Sequence, residues 1–310
     1  MSGLLNVGKN EILVTVGDGW WRGDTGYGGV RNSFGTDLAI LCQLEIDRKT
    51  VLISDKSWSA SQEGPLGLND LMQGECYDAR KENICEWHPV TEKQFGYENL
   101  VCSNSFDVVE KENYTGKQIH TPNGEVVIDF GQNIAGYVKF GFYAQAGQCI
   151  TLYHGECLDQ NGNFTQENFQ APEHRVEQCV KYICKEGWNE YKPEKSIFGF
   201  RYIKAITDVK VTEKNFTAIA VYSDMPQTGK FECGHPGINQ LFSNAVWSMK
   251  GNFLEIPTDC PTRERTGFTG DAQVFVNTGM YLMECYPVYR KFLSELREVQ
   301  LLSLIHISEP

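Results

Sequence analysis

A multidomain, mainly β protein is what this sequence predicts: two β-sandwich or jelly-roll domains followed by a helical domain. Three observations carry the prediction. From Ile12 to about Ile206, short runs of β-branched and aromatic residues alternate with Gly, Asn and Asp. From His235 onward the apolar spacing changes to that of amphipathic helices. The 310 residues, 41% of them apolar and 22% charged, supply two or three domains with a sizeable core.

In chain order, Ile12, Val14 and Val16 alternate like one face of a strand. No earlier strand is present to pair with them, so Met1 is expected to begin mid-domain. Leu38–Ile46, Thr50–Asp55, Glu125–Phe130, Gly136–Ala144, Cys149–Glu156, Gly199–Ile206 and Phe216–Asp224 read as further strands. Asn161-Gly162 marks a turn. Short strands broken by turns this often suit sandwiches or jelly rolls. A boundary is placed near residues 100–110, where little pattern is visible. His235-Pro236 then starts a helix with proline in its first turn. Ile238, Leu241, Phe242, Ala245, Val246 and Met249 follow at i, i+3, i+4, i+7, i+8 and i+11, one buried face. Ala272–Glu284 is apolar on most sides and reads as an inner helix. Tyr286–Leu301 carries Val288, Phe292, Leu296 and Val299 on one stripe. Three helices cannot close a large helical core alone. The expected domains are 1–105, 106–225 and 226–301. Residues 302–310, LSLIHISEP, read as the in-frame translation of a sequencing-library adapter, so the native chain is expected to continue past Leu301.

The net charge of −12 argues against nucleic acid or an anionic membrane as partner, since either needs a basic patch. No apolar run approaches the roughly 18 residues of a membrane span. The 11 cysteines contain no C-x-x-C pair, which disfavours zinc and redox sites. They read as small buried hydrophobes in a reducing compartment, and with no signal peptide before Leu4 the protein is expected to be cytoplasmic. No P-loop, G-x-G-x-x-G or H-E-x-x-H occurs, and no cofactor is expected.

The densest chemistry is DCPTRERTGFTGD, Asp259–Asp271, between the first two helices. Pro257 and Pro261 stiffen its entry, and Gly267 and Gly270 permit tight turns. Asp259, Glu264 and Asp271 converge if the loop folds back. Sugar cleavage needs such a set: carboxylates accept hydrogen bonds from hydroxyls, and one protonated acid serves the leaving oxygen. Neighbouring carboxylates raise one pKa, whereas Arg263 and Arg265 lower it if they point inward. A solvated loop held by Arg–carboxylate pairs fits the same residues.

IPTDCPTRERTGFTGDAQVF closely resembles the active-site loop of bacterial α-L-rhamnosidases, glycoside hydrolase family 78. VIDFGQNIAGYVKF, GECLDQNGNFTQENFQ, FGFRYIKA and SDMPQTGKFEC resemble the β-sandwich segment before that family's catalytic domain. GDGWWRGDTGYGG with GECYDAR resembles its N-terminal module. The resemblance covers nearly the whole chain to Leu301. It implies β modules followed by an (α/α)6 barrel, of which this chain holds the first helices. It also implies inverting removal of terminal α-L-rhamnose from plant glycosides or pectin side chains. By the same resemblance Glu264 matches the general acid, Asp259 and Asp271 match acids that bind rhamnose hydroxyls, and Arg263 matches an arginine of the loop. Phe268 stands where many relatives have Trp; it keeps an aromatic face but lacks the indole N–H. Many relatives carry one more residue here, an Asp before the catalytic Glu; the shorter Arg-Glu-Arg form also resembles members. An inverting enzyme needs a second carboxylate, which in this family lies far downstream, so the chain alone is expected to be inactive. The rival reading is a non-catalytic carbohydrate-binding β-sandwich protein.

Trp20, Trp21 and Tyr27 read as core aromatics of the first domain, the alternative being a sugar-stacking platform. Some relatives bind rhamnose through this module with calcium, for which Asn32 and Asp37 are weak candidates. His154 reads as a structural histidine, and Asp129 and Gln132 as turn-fixing residues.

Overall fold

The computed structural model describes residues 4–26, 29–83, 86–94, 96–98, 100–172 and 175–302. Tyr27 and the adapter-like residues beyond 302 lie outside them. The N-terminal segment holds a short helix, α1 (Gly19–Arg22), and small antiparallel pairs. These join β1 (Gln43–Ile46) to β2 (Lys49–Ile53) and β3 (Ser59–Ala60) to β6 (His88–Pro89).

A ten-stranded sheet forms the body of the protein. Its strands are β4 (Leu66–Asp70), β5 (Gly74–Asp78), β7 (Val108–Thr115), β8 (Lys117–His120), β9 (Val126–Ala144), β10 (Cys149–Gly155), β11 (Cys179–Ile183), β12 (Gly187–Tyr191), β13 (Phe198–Thr207) and β14 (Phe216–Ser223). The main path runs β4-β5-β11-β10-β13-β9-β14-β7, with β8 and β12 also paired to β9. Pairing crosses the expected boundary near residues 100–110: β5, on its N-terminal side, lies parallel to β11.

β9 is the spine. The two apolar runs expected as separate strands are one strand of 19 residues. Gly131, at φ +79°, sits between its halves. That left-handed residue bends the strand at little steric cost, so each half keeps pairing with different neighbours and the sheet curls. The first half pairs with β8, the second with β14 and β12, and β13 pairs with both across a register shift opposite the bend. Asp129 fixes this bend as expected, accepting from Gly131 N–H at 2.7 Å, and its carboxylate also takes Arg201 in a two-pronged pair. Alternate residues of β9, with Ile150, Leu152, Tyr182, Phe198 and Phe200, fill the main core. Each such side chain contributes about 1.5–3 kcal/mol by burial.

The helices follow. α2 (Pro236–Asn252) starts after His235 with proline at its first turn. The hairpin β15 (Phe253–Leu254)–β16 (Ile256–Pro257) leads into the Asp259–Asp271 loop. Then come α3 (Thr269–Leu282) and α4 (Tyr286–Leu302). Val246, Met249, Phe253, Leu282, Val288, Tyr289 and Phe292 form a second core. Trp247 packs edge-on against Tyr114, and Lys250 pairs with Glu112 at 2.7 Å, so α2 is seated on the sheet. No helix among the described residues is long and apolar enough to cross a membrane.

Several expectations need correction. Ile12–Val16 is not a strand but an exposed segment, because alternation without a pairing partner leaves the backbone unpaired. In Leu38–Ile46 the strand begins only at Gln43. α3 is not buried all round: Val274 is 79% and Tyr281 82% exposed. Ile238, Leu241 and Val299 are exposed too, since among the described residues nothing covers those faces.

Candidate active site

The loop is fastened at its base before it reaches its acids. Thr258 donates from N–H and Oγ1 to the Asn252 carbonyl at 2.8 and 3.1 Å, tying it to the end of α2. Asp259 N–H donates to Thr266 O, and Thr266 N–H returns to Asp259 Oδ1 at 3.0 Å. The loop therefore closes on itself around residues 260–265. Its back rests on the first residues of β13. A methyl group on Gly199 would lie 2.6 Å from Thr262 Cγ2 and 2.8 Å from Pro261 Cγ. The absence of a side chain there lets the loop reach the sheet.

This closure brings Asp259, Cys260 and Glu264 together, with one donor atom of each within 4.8 Å of the others. Glu264 is only 6% exposed. Arg263 Nη2 holds its Oε1 at 2.6 Å. The Cys260 thiol donates to its Oε2 at 3.1 Å and accepts from Glu264 N–H at 3.3 Å. Burial opposes the charged form, but Arg263 and then the thiol outweigh it and hold the Glu264 carboxyl below the usual glutamate range. Asp259 moves the other way: burial first, and the neighbouring Glu264 charge, push it up despite the Thr266 N–H. The pair thus titrates as a unit, with its last proton favoured on Asp259.

The two arginines that flank Glu264 behave differently. Arg263 is its counter-ion. Arg265 has a left-handed backbone, φ +52°, which turns its side chain away from Glu264 and into the protein, where it is buried. Asp271 lies exposed in the first turn of α3, where an acid complements the helix dipole, and it is not a member of the Asp259–Cys260–Glu264 group. Phe268 precedes that helix as its N-cap residue, with its ring partly exposed. Cys260 is the residue that sequence reasoning missed. Its place between Asp259 and Glu264 was the available signal, but cysteine was read as a small hydrophobe. Among the described residues this is the one group of three or more acidic, thiol or imidazole donors with the reach for a metal ion. Arg263 already supplies its positive charge.

Elsewhere, His154 is structural as expected: fully buried, with Nδ1 2.9 Å from the Gln178 carbonyl and its ring stacked on Phe198 at 4.2 Å. Trp20 and Trp21 are not core aromatics; they are 43% and 47% exposed, on a short helix whose Asp18 carboxylate takes Arg22 and Arg31. They border an open cavity of about 620 Å³ that Asp37 and Lys93 also line. Asp37 is paired there with Lys93, and Asn32 is held at φ +59° by its N–H to Arg22 O.

A curled β-sheet carrying a helical unit, with a buried glutamate and a half-buried aspartate on the loop between its first two helices, has the layout of a multidomain carbohydrate-active protein. Three family models match successive parts of the chain: the α-L-rhamnosidase N-terminal domain over 1–116, the bacterial α-L-rhamnosidase concanavalin-like domain over 119–222, and the bacterial α-L-rhamnosidase six-hairpin glycosidase domain over 226–303. The chain belongs to the bacterial α-L-rhamnosidase family, glycoside hydrolase family 78. An α-L-rhamnosidase of Formosa agariphila is 32% identical over 96% of this chain, and one of Streptomyces avermitilis is 32% identical over 94%. The chain spans 34% and 30% of those two relatives, about a third of their length. Among solved structures, the native rhamnosidase of Aspergillus terreus superposes with TM-score 0.85 at 33% identity, covering 92% of this chain and 35% of that one. The Streptomyces avermitilis enzyme complexed with L-rhamnose gives 0.82 at 31% identity, covering 91% of this chain and 29% of that one.

Proposed function

We propose that this chain carries the acid half of an inverting α-L-rhamnosidase site, acting on terminal α-L-rhamnose of plant glycosides or pectin side chains. The observation that carries the reading is the buried Glu264 beside the half-buried Asp259 on the loop of the glycosidase-domain segment. Glu264 donates a proton to the glycosidic oxygen as the bond to C1 breaks. Water attacks C1 from the opposite face and gives its proton to a second carboxylate. Asp259 and Asp271 accept hydrogen bonds from ring hydroxyls, and the open Phe268 ring packs on the C6 methyl. Arg263 sits on Glu264 Oε1 in the unliganded chain. The acid role therefore requires that sugar binding loosen this contact and so raise the Glu264 carboxyl enough for it to carry a proton.

Asp259 is not the base. Its donor atom lies within 4.8 Å of that of Glu264, whereas inversion needs roughly 6.5–9.5 Å to seat a water. The base is assigned to residues outside these 310, so the chain alone is not expected to hydrolyse rhamnosides. The test uses the chain extended to the length of its relatives. Proton NMR should show β-L-rhamnose as the first product, and Glu264→Gln should slow turnover of an alkyl rhamnoside about 10²–10⁴-fold while leaving L-rhamnose affinity nearly intact. α-L-Rhamnose as first product, or turnover by the 310 residues alone, would overturn the corresponding part.

A further inference from the structure

The Arg265 guanidinium contacts four backbone or side-chain oxygens from four stretches of chain. Nη1 donates to the carbonyls of Leu71 and Ile197, Nη2 to Gln178 Oε1 at 2.9 Å, and Nε to Thr262 O at 3.2 Å. Leu71 belongs to the β4–β5 turn, Gln178 precedes β11, Ile197 precedes β13, and Thr262 is in the loop itself. None of these partners is charged. Burial pulls the guanidinium down to about 10, so it remains a cation at neutral pH, held by oriented dipoles.

Each anchor is itself fixed. Asp70 is fully buried and accepts from Met72 N–H and Gln73 N–H at 2.8 and 3.0 Å, which shapes the turn that presents Leu71. The same carboxylate takes Arg31 at 2.7 Å and Asp24 N–H at 2.9 Å. Ser196 Oγ donates to Asp70 O at 3.0 Å, linking that turn to the approach to Ile197. Gln178 is fully buried; its side chain pairs with both N–H and O of Gly199, and its own N–H donates to Met72 O. The loop is thus docked on a prebuilt polar socket of the β domains. The left-handed backbone at Arg265, φ +52°, a conformation that disfavours a residue with a side chain, is what aims the guanidinium into it.

We propose that Arg265 is a positioning residue: it clamps the Asp259–Thr266 loop to Leu71, Gln178 and Ile197, so that the β domains fix the geometry of the Asp259–Cys260–Glu264 group. The clamp sets where Glu264 sits between Arg263 and Cys260. Its importance for catalysis rests on the acid role of Glu264, but the experiment reads structure and titration, so the two can fail separately.

The experiment uses the 310-residue chain. Carbon-13 NMR follows the Glu264 carboxyl, assigned by its loss in Glu264→Gln, and mass spectrometry follows alkylation of Cys260 by iodoacetamide. Arg265→Lys keeps the charge but cannot reach all the acceptors; Gln178→Met removes an acceptor without changing charge. Both variants should shift Glu264 titration upward and speed Cys260 alkylation about tenfold by local opening of the loop, with the sheet's NMR signals unchanged. If either folded variant keeps the low Glu264 titration and the protected thiol, the clamp is overturned. Hydrogen exchange of the wild-type chain decides if neither variant folds. The amides of Glu264 and Thr266 should then be protected like those of β11 and β13, and exchange faster than those strands would equally overturn the proposal.

Discussion

Both carboxylate oxygens of Glu264 are occupied, one by a guanidinium and one by a thiol, while burial and the Glu264 charge push the neighbouring Asp259 carboxyl up. The residue types could be read from the sequence, although a solvated loop held by Arg–carboxylate pairs fitted them equally and the family resemblance tipped the reading. Which arginine faces Glu264 could not. In Arg-Glu-Arg the answer depends on one φ angle, and the left-handed turn at Arg265 sends the two guanidinium groups to different places. His154 makes a second point at this scale. Burial depresses its imidazole to about 4 from 6.5, despite the hydrogen bond to the Gln178 carbonyl, so the folded protein holds it neutral. Between pH 6.5 and 4 the unfolded chain binds a proton that the folded chain refuses. This contribution is fully present above pH 6.5 and is lost as pH falls towards 4, about 3 kcal/mol in all. His154→Phe keeps an aromatic ring for the Phe198 stack and should flatten the dependence of urea-unfolding stability over that window. An unchanged slope would show that another group is responsible.

At the scale of elements, the strands β10, β13 and β14 and the start of α2 at Pro236 lie where apolar alternation and the His-Pro pair placed them. β9 was misread as two strands because glycine usually signals a break. Here Gly131 bends the chain while both halves remain paired. The failure at Ile12–Val16 is the converse: a strand pattern has no meaning without a neighbour to pair with. The loop's docking on β13 depends on a close approach that no local pattern reveals. Gly199→Ala would place its Cβ 2.6 Å from Thr262. The loop or the strand must move, at about 1–3 kcal/mol. Thermal unfolding should show that loss, with faster Cys260 alkylation as the loop lifts. Wild-type stability and thiol protection in the variant would mean that the contact is easily relieved.

Across the whole molecule, the β domains and the helical unit meet at the site. The turn shaped by Asp70, the ends of β11 and β13, and the loop after α2 are all joined through Arg265. The order of β domains followed by helices was legible from periodicity; this convergence was not, because it brings together residues as far apart as Leu71 and Arg265. The chain spans about a third of the relatives it matches, and its exposed apolar helix faces include Val274 and Tyr281. The central claim is that Glu264 is the proton donor. The most direct test compares Glu264→Gln with wild type, in the chain extended to the relatives' length, on rhamnosides with leaving groups of different basicity. A proton donor matters most when the leaving group is poor. With Glu264 as proton donor, the variant should lose about 10²–10⁴ on an alkyl rhamnoside and little on the 2,4-dinitrophenyl rhamnoside. Equal losses on both, or the same leaving-group dependence in Asp259→Asn instead, would contradict it.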